Sequence, residues 1–109
     1  MDHLSSVRKS RNSKLFFSKN ELNKILKCYS IGVSKGNWKD YAINYEEQKA
    51  TFCMFKHTLA SPDCTLTKTK KNKKKGIMYN LKFNNKKDKY SNKIEDLIVI
   101  IQRNELHII

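Results

Sequence analysis

The sequence predicts an α+β domain in which an antiparallel sheet of about four strands is flanked by an N-terminal and a C-terminal helix, in the order α-β-β-β-β-α. Two observations carry this. Apolar residues recur at 3.6-residue spacing near each end, at Leu22, Ile25, Leu26, Tyr29 and Val33, and again at Ile94, Leu97, Ile98 and Ile101. Between them the period switches to two, and the connections are short enough to suit antiparallel neighbours. With 109 residues the chain holds a single domain.

Residues 1–14 are polar and basic, with Arg8, Lys9, Arg11 and Lys14 among serines, and lack the periodic apolar residues that would offset the entropy of ordering. They read as a disordered basic arm, leaving 15–109 as the α+β domain. Order starts where Ser18 caps the free N–H groups, Glu21 reaches back three residues and Phe17 staples onto Leu22. The first helix is predicted over about 19–34, with Gly36 as its left-handed stop.

Tyr41, Ile43 and Tyr45 then alternate with Ala42 and Asn44, and Glu46 to Lys49 turns the chain into a second strand, Ala50 to His57. That strand is apolar on both faces, with Phe52 and Met54 against Cys53 and Phe55, so it reads as a central strand covered on both sides. Ser61-Pro62-Asp63 turns into a polar third strand, Cys64 to Lys70. A lysine-rich loop over 70–75 and Gly76 leads to a fourth, Ile77 to Phe83, with Ile77, Tyr79, Leu81 and Phe83 on one face. Asn84 to Lys89 reads as a turn. A last helix starts at Ser91, has Glu95 and Asp96 near its positive end and stops near Asn104.

The formal net charge is +13, and it is local. Twenty of the 23 basic residues are Lys, and Lys, Asn and Ile fill 41 positions, as an AT-rich genome would give. Codon bias does not explain the excess of base over acid, since Asp and Glu codons are AT-rich too. Residues 64–93 carry +10, whereas 1–63 carry +5 and 94–109 carry −2. The longest apolar run, Leu97 to Ile101, is far short of the ~20 residues of a membrane span, and the first residues lack the apolar core of a secretory signal. A cytoplasmic protein is expected. Cys28, Cys53 and Cys64 form no Cys-x-x-Cys and fit a reducing compartment as small buried hydrophobes.

The strongest functional signal is Lys68, Lys70, Lys71, Lys73, Lys74 and Lys75 within eight residues, followed by Lys82 and Lys86. Such a density attracts polyanions, with salt-dependent affinity through released counterions. The plain alternative is a solvated hairpin. Phe55 and Met78, placed outward near Lys56 and Lys82, would let bases stack while charge tracks the backbone; otherwise Phe55 is core beneath the first helix or a dimer contact. Trp38 and Asp40 read as structural, closing the core and a turn.

Cys53, His57 and Cys64 only loosely suggest zinc, with no evident fourth ligand, so no metal or cofactor is expected. No phosphate loop, nucleophile elbow or His-Glu-x-x-His helix is present, which argues against an enzyme.

Through Glu21-Leu22, Ile25-Leu26 and Tyr29, and above all Val33-Ser34-Lys35-Gly36-Asn37-Trp38-Lys39-Asp40-Tyr41-Ala42-Ile43, the chain resembles domain-of-unknown-function family 2794, a group of short alphaproteobacterial proteins. The likeness continues more weakly through Phe52, Phe55-Lys56, Pro62, Leu66 and Lys68 and spans about 15–105. The lysine-rich loop and Leu106-His107-Ile108-Ile109 depart from the pattern. The resemblance implies a bacterial, cytosolic origin and, with the AT-rich composition, a host-associated bacterium; it implies no activity.

The sequence thus points to a non-enzymatic domain that binds or associates with nucleic acid, single- or double-stranded, through a lysine-rich hairpin. The competing reading is a protein-interaction or self-assembling domain, a homodimer included, in which the lysines only solubilise.

Overall fold

A computed structural model describes residues 14–57, 61–70, 76–84 and 86–108. The architecture is α-β5-α: α1 (Lys19–Ser34), β1 (Asp40–Tyr45), β2 (Lys49–Phe55), β3 (Cys64–Lys70), β4 (Ile77–Phe83), β5 (Lys89–Ser91) and α2 (Ile94–Ile108). The five strands form one antiparallel meander in the order β1-β2-β3-β4-β5.

The expected α+β class stands, with one more strand than the sequence suggested. β5 is three residues long and has no apolar alternation to announce it; it exists by pairing Lys89, Tyr90 and Ser91 with β4. In consequence the last helix begins at Ile94 rather than Ser91. It runs to Ile108, beyond the expected stop near Asn104.

The capping box forms as the sequence implies. Ser18 Oγ accepts the Glu21 N–H at 3.0 Å and Glu21 Oε1 accepts the Ser18 N–H at 2.8 Å. Gly36, at φ 81°, turns the chain out of α1. The buried side of α1 is Ile25, Cys28 and Gly32, with Leu22, Leu26 and Tyr29 partly buried. Val33, expected on that stripe, is exposed, because the helix buries Gly32 in its last turn instead.

Register and burial separate the two faces of the sheet. One face carries Ala50, Phe52 and Met54 of β2, Cys64, Leu66 and Lys68 of β3, and Tyr79, Leu81 and Phe83 of β4, all buried. With Ile25 and Cys28 of α1 and Ile94, Leu97, Ile98 and Ile101 of α2 they form the core. Trp38 closes it at 2% exposure, and Asp40 Oδ1 accepts the Tyr41 N–H at 2.8 Å, the structural roles expected of them.

On the other face no described element lies over the sheet, which corrects the expectation that β2 is covered on both sides. Its Thr51, Cys53 and Phe55 are half-buried, shielded by neighbouring side chains of the same sheet. Cys53 is therefore not the buried hydrophobe expected, whereas Cys28 and Cys64 are; none of the three is in a disulfide.

Candidate nucleic-acid interface

The uncovered face of the sheet is assembled from alternate residues, whose rows follow from the register. Ala42, Cys53, Thr65 and Lys82 form one row; Asn44, Thr51, Thr67, Asn80 and Tyr90 form the next; Lys49, Thr69 and Met78 form the third. Phe55 stands opposite Asp40 at the corner. The surface is rich in hydroxyls and amides. Its described cations are Lys49 and Lys82, both exposed, and its described carboxylate is Asp40.

The residues singled out from sequence do not form one cluster. Lys70, exposed at the end of β3, sits at the hairpin end of the sheet, its N–H donating to Gln48 O at 3.0 Å, with Lys49 and Met78 nearby in register. Phe55, Lys82 and Lys86 lie toward the opposite end, about 20 Å away for six residues of extended chain. Lys86 Nζ lies 5.8 Å from the centroid of the Phe83 ring. Phe55 is half-buried on the uncovered face, on the side of the sheet away from the core. Lys71, Lys73, Lys74 and Lys75 lie in the connection from β3 to β4, outside the described residues.

Lys68 departs from the group altogether. It is 8% exposed and faces the helices, where its ammonium donates at 2.8 Å to both Glu21 Oε1 and Phe16 O. Glu21 Oε2 also accepts from the Tyr79 hydroxyl. Burial pushes the Glu21 carboxyl up, but hydrogen bonds from Lys68, Tyr79 and the Ser18 N–H, with the charge of Lys68, outweigh it and leave the group below its ordinary value. Burial first, and the neighbouring Glu21 carboxylate second, push the Tyr79 phenol well above its ordinary value. The charge of Lys68 is spent inside the molecule. The signal that would have found it is the period of two: buried Cys64 and Leu66 put Lys68 on the same face.

Among the described residues, no three His, Cys, Asp or Glu side chains come together to hold a metal ion. Cys53 and Cys64 occupy opposite faces of the sheet. No helix among the described residues is long and apolar enough to cross a membrane.

A family model described as a protein of unknown function (DUF2794) matches residues 15–96. The chain belongs to this family. The match runs from just before α1 into the first turn of α2, so α1, the whole sheet and the β3–β4 hairpin lie within it. No curated protein and no solved structure matches the chain.

Proposed function

We propose that this member of the family is a cytoplasmic, non-enzymatic domain that binds or associates with nucleic acid through the uncovered sheet face and the β3–β4 hairpin. The observation that carries the reading is one-sided coverage: both helices pack on one face, and the other presents Phe55, Met78, Lys49 and Lys82 between threonines and asparagines. At one end of that face, the hairpin connection adds Lys70, Lys71, Lys73, Lys74 and Lys75. Phosphates would be held by the lysines, while bases would meet a flat surface of apolar and hydrogen-bonding groups.

Fluorescence anisotropy with a labelled single strand and a labelled duplex, from low to physiological salt, tests this. Contact with about four phosphates on a single strand predicts a log–log salt slope near −3. Replacing Lys71, Lys73, Lys74 and Lys75 by Glu takes the net charge from +13 to +5, a change of two at each of four sites, and the slope should flatten toward zero. No binding by the wild type at low salt, or equal binding by the variant, overturns the proposal and leaves a protein-interaction domain with a solubilising lysine run.

A further inference from the structure

We propose that β1 is a self-pairing edge, joining antiparallel to β1 of a second copy of this chain about a twofold axis through Ile43. The inference stands apart from the nucleic-acid reading. The sheet has two edges, and they differ. β5 is three residues long and carries Lys89, the kind of short, charged edge that resists strand addition. β1 is six residues, Asp-Tyr-Ala-Ile-Asn-Tyr, with no Lys and no Pro.

Its hydrogen-bonding phase is fixed at the hairpin. The Glu46 N–H donates to Lys49 O at 2.7 Å, so the even-numbered residues of β1 bond to β2. Tyr41, Ile43 and Tyr45 therefore turn their main-chain groups away from the sheet, toward any added strand.

The occupant is argued from the sequence of the edge, which is palindromic in character. Antiparallel pairing about Ile43 sets Tyr41 against Tyr45 of the second copy, Ile43 against Ile43, and Ala42 against Asn44. All three outward-bonding residues are then satisfied at once, in about six main-chain hydrogen bonds. Tyr41 and Tyr45 are already in aromatic groups: Tyr41 stacks on Phe52 at 5.1 Å, and Tyr45 meets Phe16 edge-on at 4.7 Å. Tyr41 is 42% exposed and Phe16 53% exposed, so apolar surface remains to be covered at this edge.

Two contacts set the strength of the pairing. Asp40 Oδ1 accepts the Tyr41 N–H in the single chain and must release it, and Asp40 would face Glu46 across the pair as a like charge. The overall charge of +13 opposes association less than its size suggests. The two β4 strands would stand seven strand spacings apart, about 34 Å, or several Debye lengths at physiological salt. The axis is perpendicular to the sheet, so a ten-stranded sheet would keep both helix layers on one side and both uncovered faces on the other.

Sedimentation equilibrium on the full chain between about 1 and about 300 µM, in buffer free of nucleic acid, tests the pairing. The wild type should move toward twice the monomer mass. Ala42 and Asn44 are both exposed, so both can be changed without touching the core. Ala42→Lys with Asn44→Lys sets like charges opposite each other twice per dimer and should weaken association roughly tenfold; Ala42→Glu with Asn44→Lys sets opposite charges there and should restore it. Thermal melts at 1 µM should show both variants folded. A wild type that stays monomeric throughout, or two variants that associate equally, overturns the proposal.

Discussion

Glu21 joins α1 to the sheet through one carboxylate that accepts from the Ser18 N–H, the Lys68 ammonium and the Tyr79 hydroxyl. Removing one partner of a mostly buried ion pair strands the other, which is where the large penalties arise. Lys68→Met should lower stability by about 3 kcal/mol in urea melts, whereas Glu21→Gln combined with Lys68→Met should recover at least half of that, because no charge is then left unpaired. The same carboxylate gives a pH signature. Its folded value lies below the ordinary 4.5, so its stabilisation is fully present above 4.5 and is lost as pH falls through the folded value. Between pH 5 and pH 3 the wild type should lose more stability than Glu21→Gln, as read from urea midpoints. For Tyr79 the sign reverses: with its folded value raised, the contribution is complete below the ordinary 10.0 and fades as pH rises beyond it. Tyr79→Phe should therefore flatten the alkaline limb of the stability profile.

At the scale of the element, α1 shows what a sequence states openly. A capping box and a left-handed glycine are local devices, and both form where the residues stand: Ser18→Ala removes the acceptor for the Glu21 N–H and should cost about 1 kcal/mol in the same melts. Strands β1 to β4 were legible for the same reason, since alternation is written residue by residue. β5 was not, because Lys89, Tyr90 and Ser91 are strand only by virtue of their partner. The open face of the sheet was hidden by chemistry of another kind. Cys53 and Phe55 are apolar enough to suggest a second covering layer, yet threonines at 51, 65, 67 and 69 around them shield a single sheet without one. Lys68 was read by its charge when its place in the alternation was the stronger clue. Phe55 and Lys82 share the uncovered face, as one of the two readings of Phe55 had them; what no pattern in the sequence supplied was that the sheet's length holds them about 20 Å from Lys70.

For the molecule as a whole, the uneven charge has a consequence for folding that does not depend on any partner. Segment 64–93 carries +10, and its described lysines, Lys68 excepted, are exposed. Two unit charges 10 Å apart in water repel by about 0.4 kcal/mol, and this segment holds eleven lysines against one aspartate in thirty residues. Folding gathers them, so low salt should destabilise the native state. Opposing this are the ion pairs that salt weakens. The Lys24–Glu95 pair is solvent-exposed and worth little, while the Lys68–Glu21 pair is shielded from salt by burial. Repulsion should win. Raising the salt from 10 to 150 mM shortens the Debye length from about 30 to about 8 Å and should stabilise the wild type by on the order of 1 kcal/mol. In the variant with Lys71, Lys73, Lys74 and Lys75 replaced by Glu, the hairpin charge is reversed, and the gain should shrink or vanish. The two proteins should differ by no more than about 0.5 kcal/mol at 150 mM, as substitutions in a connection between strands usually do. Thermal melts at both salt concentrations measure all four values. An equal salt response in the two proteins would mean that the hairpin lysines are too far apart to repel, and so too dispersed to act together on a polyanion.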